Sequence, residues 1–183
     1  FVFNLASLDA GIVERSMDHA RRAIRYASSL SAGVYSFHAG YRMDPAADEL
    51  GRKIGKRRLV DREKCLHAFL TRVRELASYA RERGMRILLE NNVLSRANFE
   101  EFDDDPLLMC EPDEIVYVME ETEEDTGLLL DLGHLKTSAR TLGFDREEAL
   151  QRCEPWTTVY HLSDNSGEAD ENLPVTDRKS TRL

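Results

Sequence analysis

The chain has 183 residues, a formal net charge of −9, 42% hydrophobic and 32% charged residues. This balance excludes a disordered polar tail and supplies enough apolar surface for one core, while no apolar run reaches the roughly 18 residues that a membrane span needs. The acidic excess disfavours a nucleic-acid partner, which it would repel at long range unless a local basic surface compensated. Cys65, Cys110 and Cys153 form an odd set without C-x-x-C spacing. They fit free thiols in a reducing compartment, so a cytoplasmic location is the expectation, and the composition leaves a homo-oligomer open.

In chain order, residues 1–5 read as the tail of a strand, followed by a helix. Asp9 is its expected N-cap; Ile12, Val13, Ala20, Ile24, Ala27 and Leu30 recur near a 3.6-residue period, and Gly33 is the expected stop. Val34-Tyr35-Ser36-Phe37-His38 then reads as a buried strand. Leu59, Leu66, Phe69, Leu70, Val73, Leu76 and Ala80 keep one apolar helical face up to Gly84, which releases the chain into the strand Ile87-Leu88-Leu89-Glu90. Pro112 suits the first position of a third helix, with Asp113 and Glu114 at its positive N-terminal end and Ile115, Val116, Val118 and Met119 as apolar surface. The strand Leu128-Leu129-Leu130-Asp131 follows, with His134 just beyond it, then a weaker helix over residues 145–152 and the strand Val159-Tyr160-His161. The expectation is five strands and four helices in strict alternation.

Apolar runs without polar alternation suit parallel strands covered on both faces, and helical intervals between them define a β/α repeat. In barrels built from this repeat the chemistry sits where the strand C-termini converge. His, Glu, Asp and His arriving at four such ends predict one shared metal site. The fold class expected is α/β, an incomplete (β/α)8 TIM barrel, because a closed barrel usually needs roughly 250 residues. One domain over residues 1–176 is expected. Residues 177–183 translate a common sequencing-adapter string in frame and are set aside as a non-native tail.

Phe37-His38-Ala39-Gly40, Leu88-Leu89-Glu90-Asn91, Asp131-Leu132-Gly133-His134 and His161-Leu162-Ser163-Asp164-Asn165, in that order, resemble the xylose isomerase-like TIM-barrel superfamily. That superfamily holds sugar-phosphate isomerases and epimerases and also endonuclease IV-like apurinic-site phosphodiesterases. Phe3-Asn4-Leu5-Ala6-Ser7 resembles the segment after its second strand, which would put strands 2 to 6 in this chain and leave the first, seventh and eighth outside it. The resemblance implies that Glu90, Asp131 and His161 ligate one divalent metal (Mn, Mg, Co or Zn), with a second glutamate expected from the eighth strand. It implies that Glu90 is one catalytic acid/base in an enediolate proton transfer, that His134 holds substrate oxygen or developing charge, and that His38 lines the pocket. A hydride shift is the other route open to relatives. Asp164 and Asn165 are expected to contact substrate or support the site, with turn chemistry as an equal reading. His19 and His67 read as surface or groove residues.

The chain departs from the family pattern at Asp170-Glu171-Asn172: many relatives have Asp-x-His there, and the repair enzymes bind zinc with both residues. Asn172 in the histidine's place argues against a full three-zinc site. The lead expectation is therefore a metal-dependent sugar or sugar-phosphate isomerase/epimerase, present as a fragment that is itself inactive and prone to self-association. The alternatives are an apurinic-site phosphodiesterase and a non-catalytic sugar-binding barrel. The basic run Arg52-Lys53-Ile54-Gly55-Lys56-Arg57-Arg58 reads as a solvated loop, or as a loop over the active-site mouth that greets a phosphate. The acidic runs at residues 103–105 and 120–125 read as solvated faces.

Overall fold

A computed structural model describes residues 1–122 and 126–175. The expected non-native tail, and Glu123, Glu124 and Asp125 of the second acidic run, lie outside the described residues. Four parallel strands, β1 (Val34–His38), β2 (Arg86–Glu90), β3 (Thr126–Asp131) and β4 (Thr157–His161), pair in sequence order. Among the described residues six α-helices accompany them: α1 (Ala10–Ser29), α2 (Arg62–Arg81), α3 (Arg96–Phe102), α4 (Pro112–Thr122), α5 (Leu132–Leu142) and α6 (Arg146–Cys153). Sequential parallel pairing with helical crossovers is the arrangement of an incomplete (β/α)8 barrel.

The predicted helix starts are where the chain puts them. Asp9 Oδ1 accepts from the Ile12 N–H, Pro112 opens α4, and Asp145 Oδ1 accepts from both Glu147 and Glu148 N–H. The end of α1 differs: Leu30 caps it and Ser31 takes the left-handed conformation at φ 60°, so the chain turns before Gly33. After α2, Gly84 adopts φ +70°, and the Met85 N–H closes the helix end on Ala80 O.

Two expectations on element count are corrected. Residues 1–5 are not a strand: Asn4 donates its N–H to Ser16 Oγ, and its side chain takes up the backbone groups of Tyr41 beyond β1. Alternation is also not strict, because α3 and α5 were not anticipated. Helix α3 is short, and α5 begins directly at the end of β3 with no intervening turn, so the apolar run of the strand passes into the helix unmarked.

One sheet face meets the helices. Phe37, Ile87, Leu89, Leu128 and Leu130 project onto Ile24, Phe69, Val73, Leu76, Ile115 and Met119, all buried in one core. The central strands β2 and β3 are buried, whereas β4 is largely exposed, having a neighbour on one side only among the described residues. The three thiols are free and buried, as expected, and His19 and His67 are exposed. No helix among the described residues is long and apolar enough to cross a membrane.

Two buried polar clusters fix the loops above β1 and β2. Asn4, fully buried, donates to Tyr41 O (3.2 Å), Met43 O (3.2 Å) and Asp44 Oδ1 (2.8 Å), and accepts from the N–H groups of Ala6 (3.1 Å) and Tyr41 (2.9 Å). Arg42 and Arg62 hold the segment before α4: Arg42 reaches Asp104 Oδ2 and Asp105 O, both at 2.7 Å, and Arg62 reaches Glu114 Oε2 at 2.6 Å. Burial works against the Arg62 charge, but Glu114 and Asp105 outweigh it and raise its pKa. Asp105 lies 3.4 Å from the same guanidinium, yet burial dominates and pushes its carboxyl up to about 6. The two shifts are compatible because Glu114 takes the nearer half of the Arg62 fork.

Replacing Asn4 with alanine leaves several buried backbone groups without partners and is expected to cost about 2–4 kcal/mol, read as a lower urea midpoint at unchanged slope. Asp105 gives a second expectation. Its folded pKa, about 6, exceeds its ordinary 3.8, so between these values the folded state binds more protons and loses stability as pH rises. Asp105→Asn should remove that slope, worth at most about 3 kcal/mol, when unfolding is followed from pH 4 to pH 7 at about one-unit steps.

Candidate metal centre at the strand ends

Strand register brings the predicted ligands together. His38 is paired with Glu90, and Asp131 with His161, in the parallel ladders. Between β2 and β3, Glu90 is opposite Leu129, so Asp131 stands two residues farther on and points to the same face. All four side chains therefore project from the sheet face opposite the helical core. His161 Nδ1 lies 2.6 Å from Asp131 Oδ2 and 3.4 Å from Glu90 Oε1; His38 Nε2 lies 3.7 Å from Glu90 Oε2. Ligand atoms of Glu90, Asp131 and His161 all fall within 4.8 Å of one another, and so do those of His38, Glu90 and His134.

Asp131 divides its carboxylate between two tasks. Oδ1 accepts from the His134 N–H at 2.8 Å and caps α5, while the buried Oδ2 has no hydrogen bond. The 2.6 Å approach of His161 Nδ1 to Oδ2 has the distance of a hydrogen bond but not a direction that a ring N–H could use. His161 Nδ1 gives its proton to Glu90 Oε1 and leaves Asp131 Oδ2 without one; once that proton is lost, Nδ1, Oδ2 and the Glu90 carboxylate form a donor set that a divalent cation satisfies. The residues fit the metal that the sequence implied.

Asparagines missed as functional in the sequence stitch these strand ends. Asn91 Oδ1 accepts from the Asp131 N–H (2.7 Å), and its backbone carbonyl accepts from His134 Nδ1 (2.8 Å). Asn92 Nδ2 donates to the carbonyls of Ala39, Gly40 and Leu108. Their signal was two adjacent amides directly after a strand-end glutamate.

With Nδ1 committed to Asn91, His134 turns Nε2 toward Asp170 Oδ2 (3.5 Å) and Asp131 Oδ2 (3.8 Å). Burial opposes a charge on His134, but the hydrogen bond to Asp170 and the Asp131 carboxylate prevail and raise its pKa. His38 goes the other way: burial lowers its pKa, against the pull of Glu90, and the neighbouring His134 lowers it further. Asp170 is held below the usual carboxylate range, chiefly by the His134 hydrogen bond. Asn172, at φ 48°, donates Nδ2 to Asp170 Oδ2 at 2.9 Å. An amide thus braces the carboxylate at the position where the resemblance led one to expect a second imidazole.

The loop that delivers Asp170 is stapled to α5. Asp164 and Leu173 exchange both backbone bonds at 2.8 Å, closing the loop at its base. Lys136 Nζ donates to Asp164 Oδ1 (3.0 Å) and Asn165 O (2.6 Å), Asn165 Nδ2 to Gly133 O (2.8 Å), and Arg140 Nη1 to Ser166 O (3.1 Å). Residues 133, 136 and 140 share one helical face. A Cβ at Gly133 would strike Ser163 Oγ, so the loop rests directly on the helix backbone. Asp164 and Asn165, expected beside the substrate, here direct their side chains to this staple.

The chain matches the xylose isomerase-like TIM barrel family over residues 1–180 and belongs to it. Among solved structures, a D-tagatose 3-epimerase-like protein superposes with a TM-score of 0.70 at 20% identity, covering 96% of this chain and 57% of its own. A xylose isomerase-like TIM barrel protein from Mycobacterium smegmatis, solved in complex with magnesium, gives 0.62 at 20% identity, covering 87% and 48%. D-psicose 3-epimerase from Clostridium cellulolyticum, solved with D-tagatose, gives 0.61 at 15% identity, covering 88% and 48%. The chain thus spans about half the length of these relatives. No functionally curated protein sequence matches it.

Replacing Lys136 with methionine keeps the alkyl stem but removes two hydrogen bonds from a charged donor. It is expected to cost about 1.5–3 kcal/mol. Amide hydrogen exchange should show the loss locally, with Asn165, Gly167 and Leu173 exchanging faster while β2 stays protected.

Proposed function

We propose that this chain is part of a metal-dependent sugar or sugar-phosphate isomerase/epimerase, four of whose eight barrel strands are among the described residues. The observation that carries the reading is the convergence of Glu90, Asp131 and His161 on one point, with the buried Asp131 Oδ2 left without a hydrogen bond. In this reading these three residues hold one divalent ion, of the Mn, Mg, Co or Zn class. When bound, such an ion supplies Lewis-acid polarisation of a carbonyl and its neighbouring hydroxyl.

The chain's own residues supply the rest. Glu90 has one face toward His161 and the other toward His38, and it serves as an acid/base that removes the carbon-bound proton next to the carbonyl. The product of that step is an enediolate, and returning the proton at the neighbouring carbon or from the opposite face gives isomerisation or epimerisation. A second carboxylate from outside the chain acts on the opposite face. His134, its Nδ1 held by Asn91, turns Nε2 from its loose 3.5 Å contact with Asp170 to donate to the substrate oxygen on which charge develops, and His38 contacts the substrate beside Glu90. Asp164 and Asn165 act through the loop that carries Asp170.

One observation favours a second reading, a phosphodiesterase acting at abasic sites: His38 and His134 form a further potential ligand group with Glu90. The amide of Asn172 on Asp170 weighs against it.

The test incubates the complete, metal-loaded barrel with ketoses, aldoses and their phosphates in deuterated water and follows the sugars by NMR. Deuterium is expected at the exchanging carbon, and Glu90→Gln should slow its incorporation at least about a hundredfold. Conversion without deuterium would replace proton transfer by a hydride shift. With neither conversion nor exchange for any sugar, the isomerase reading fails.

A further inference from the structure

The two asparagines that follow Glu90 are buried and reach to opposite sides of β2. The backbone ladders stop just short of them: β1 pairs with β2 as far as His38 with Glu90, and β2 with β3 as far as Glu90 with Leu129. Beyond those pairs the main chains leave for their loops, after a final bond from the Ala39 N–H to Glu90 O at 3.1 Å. Asp131 therefore stands past the end of the ladder with β2, although its carboxylate must meet Glu90 for the two to share a cation.

An asparagine side chain carries the same carbonyl acceptor and N–H donor as a peptide unit. Asn91 uses it as one: Oδ1 takes the Asp131 N–H at 2.7 Å, and Nδ2 donates to Asp131 O at 3.2 Å, so both backbone groups of Asp131 are paired from the β2 side. On the other side Asp131 is in register with His161 of β4. Asn92 acts in the same way toward β1. Its Nδ2 shares two hydrogens among the carbonyls of Ala39 (2.9 Å), Gly40 (3.2 Å) and Leu108 (2.9 Å), and so ties down the chain that leaves His38. Side-chain amides thus continue the sheet past its last ladder bonds, one toward each neighbour.

The two amides bear on different halves of the site. Capping of α5 fixes where Asp131 Oδ1 points, and the Asn91 amide fixes where the Asp131 main chain stands beside Glu90. Together they set the distance from the unbonded Oδ2 to the Glu90 carboxylate. Metal sites respond strongly to such supports, because losing a group that orients a ligand lowers affinity about 10- to 100-fold. The Asn92 amide is turned instead to the side on which His38 stands.

We infer that Asn91 and Asn92 are positioning residues with separate tasks: Asn91 sets the spacing of Asp131 from Glu90 and with it the fit of the cation, whereas Asn92 sets the His38 side of Glu90 and leaves that fit unaltered. The inference rests on reading Glu90, Asp131 and His161 as ligands of one divalent ion.

The test compares the complete barrel with its Asn91→Ala and Asn92→Ala variants, each prepared free of metal. Both variants lose buried hydrogen bonds and should lower the urea midpoint, which makes Asn92→Ala the control for destabilisation. In metal-free crystal structures Asn91→Ala should displace Asp131 from Glu90, whereas Asn92→Ala should displace Ala39 and Gly40 and keep the carboxylate pair in place. Titration with Mn²⁺ should give an affinity at least about tenfold lower for Asn91→Ala and within about twofold of the parent for Asn92→Ala. The paramagnetic resonance spectrum of the bound ion should change with the first variant and not with the second. If the alanine forms do not fold, Asn91→Ser and Asn92→Ser give the same comparison. Equal losses of affinity in the two variants, or losses that follow the urea midpoints, would overturn the inference, as would an unmoved Asp131 in Asn91→Ala. A parent barrel that takes up no Mn²⁺ ends the metal reading, and the metal-free structures then decide on their own whether Asn91 sets the carboxylate spacing.

Discussion

The site depends on how Asp131 divides its carboxylate. One oxygen caps α5 and so starts that helix at the end of β3; the other is left buried, without a hydrogen bond, beside Glu90 and His161. Capping fixes the side-chain angle of Asp131, and the Asn91 side chain fixes its backbone, so the free oxygen cannot relax into a local bond. A buried carboxylate oxygen without a partner is costly in an isolated fold. That cost is tolerable where a cation or a substrate hydroxyl offsets it, which is why this one atom ties the folding of α5 to the chemistry of the strand ends.

Electrostatics on either side of Glu90 differ in kind. Toward β3 and β4 the neighbours are a fully buried aspartate and an exposed imidazole, a donor set for a cation. Toward β1, two histidines lie with ring centroids 5.4 Å apart and have their pKa values moved in opposite directions, His134 up and His38 down. In the proposed reading Glu90 stands between a cation-binding half and a hydrogen-bonding half, the placement needed by a group that both orients a ligand and moves a proton.

How much of this was legible in the sequence depended on the range of the interactions. The four strands and their terminal polar residues were readable because burial leaves an apolar run, and a polar residue at its end has no local reason to be there. Helix starts at Asp9, Pro112 and Asp145 were readable because capping acts over three or four residues. The start of α5 was hidden because strand and helix abut, so the apolar run of β3 passes into the helix without a turn signal. The Asn4 hub was invisible for a different reason: its partners at Tyr41, Met43 and Asp44 lie about forty positions along the chain, and nothing local marks an asparagine that replaces a strand pairing. The basic loop after β1 was legible as charge but not as function, since its neutralisation by Glu49 and Glu101 depends on tertiary folding.

Gly133 carries a consequence for how this site could vary. The loop bearing Asp170 lies so close on α5 that even a methyl group there would collide with Ser163 and Asn165. Polar groups at the strand ends can be exchanged for others at the cost of altered chemistry, and the Asp170 to Asn172 segment already differs from the family pattern in this way. The glycine has less freedom, because a side chain would have to displace the Ser163 hydroxyl and press on the Asn165 amide that seats the loop and on the Asp131 oxygen that caps α5. Sequence drift around this centre is therefore channelled: the polar groups at the strand ends are open to innovation, while the small residue beneath them holds the frame in which any innovation must work.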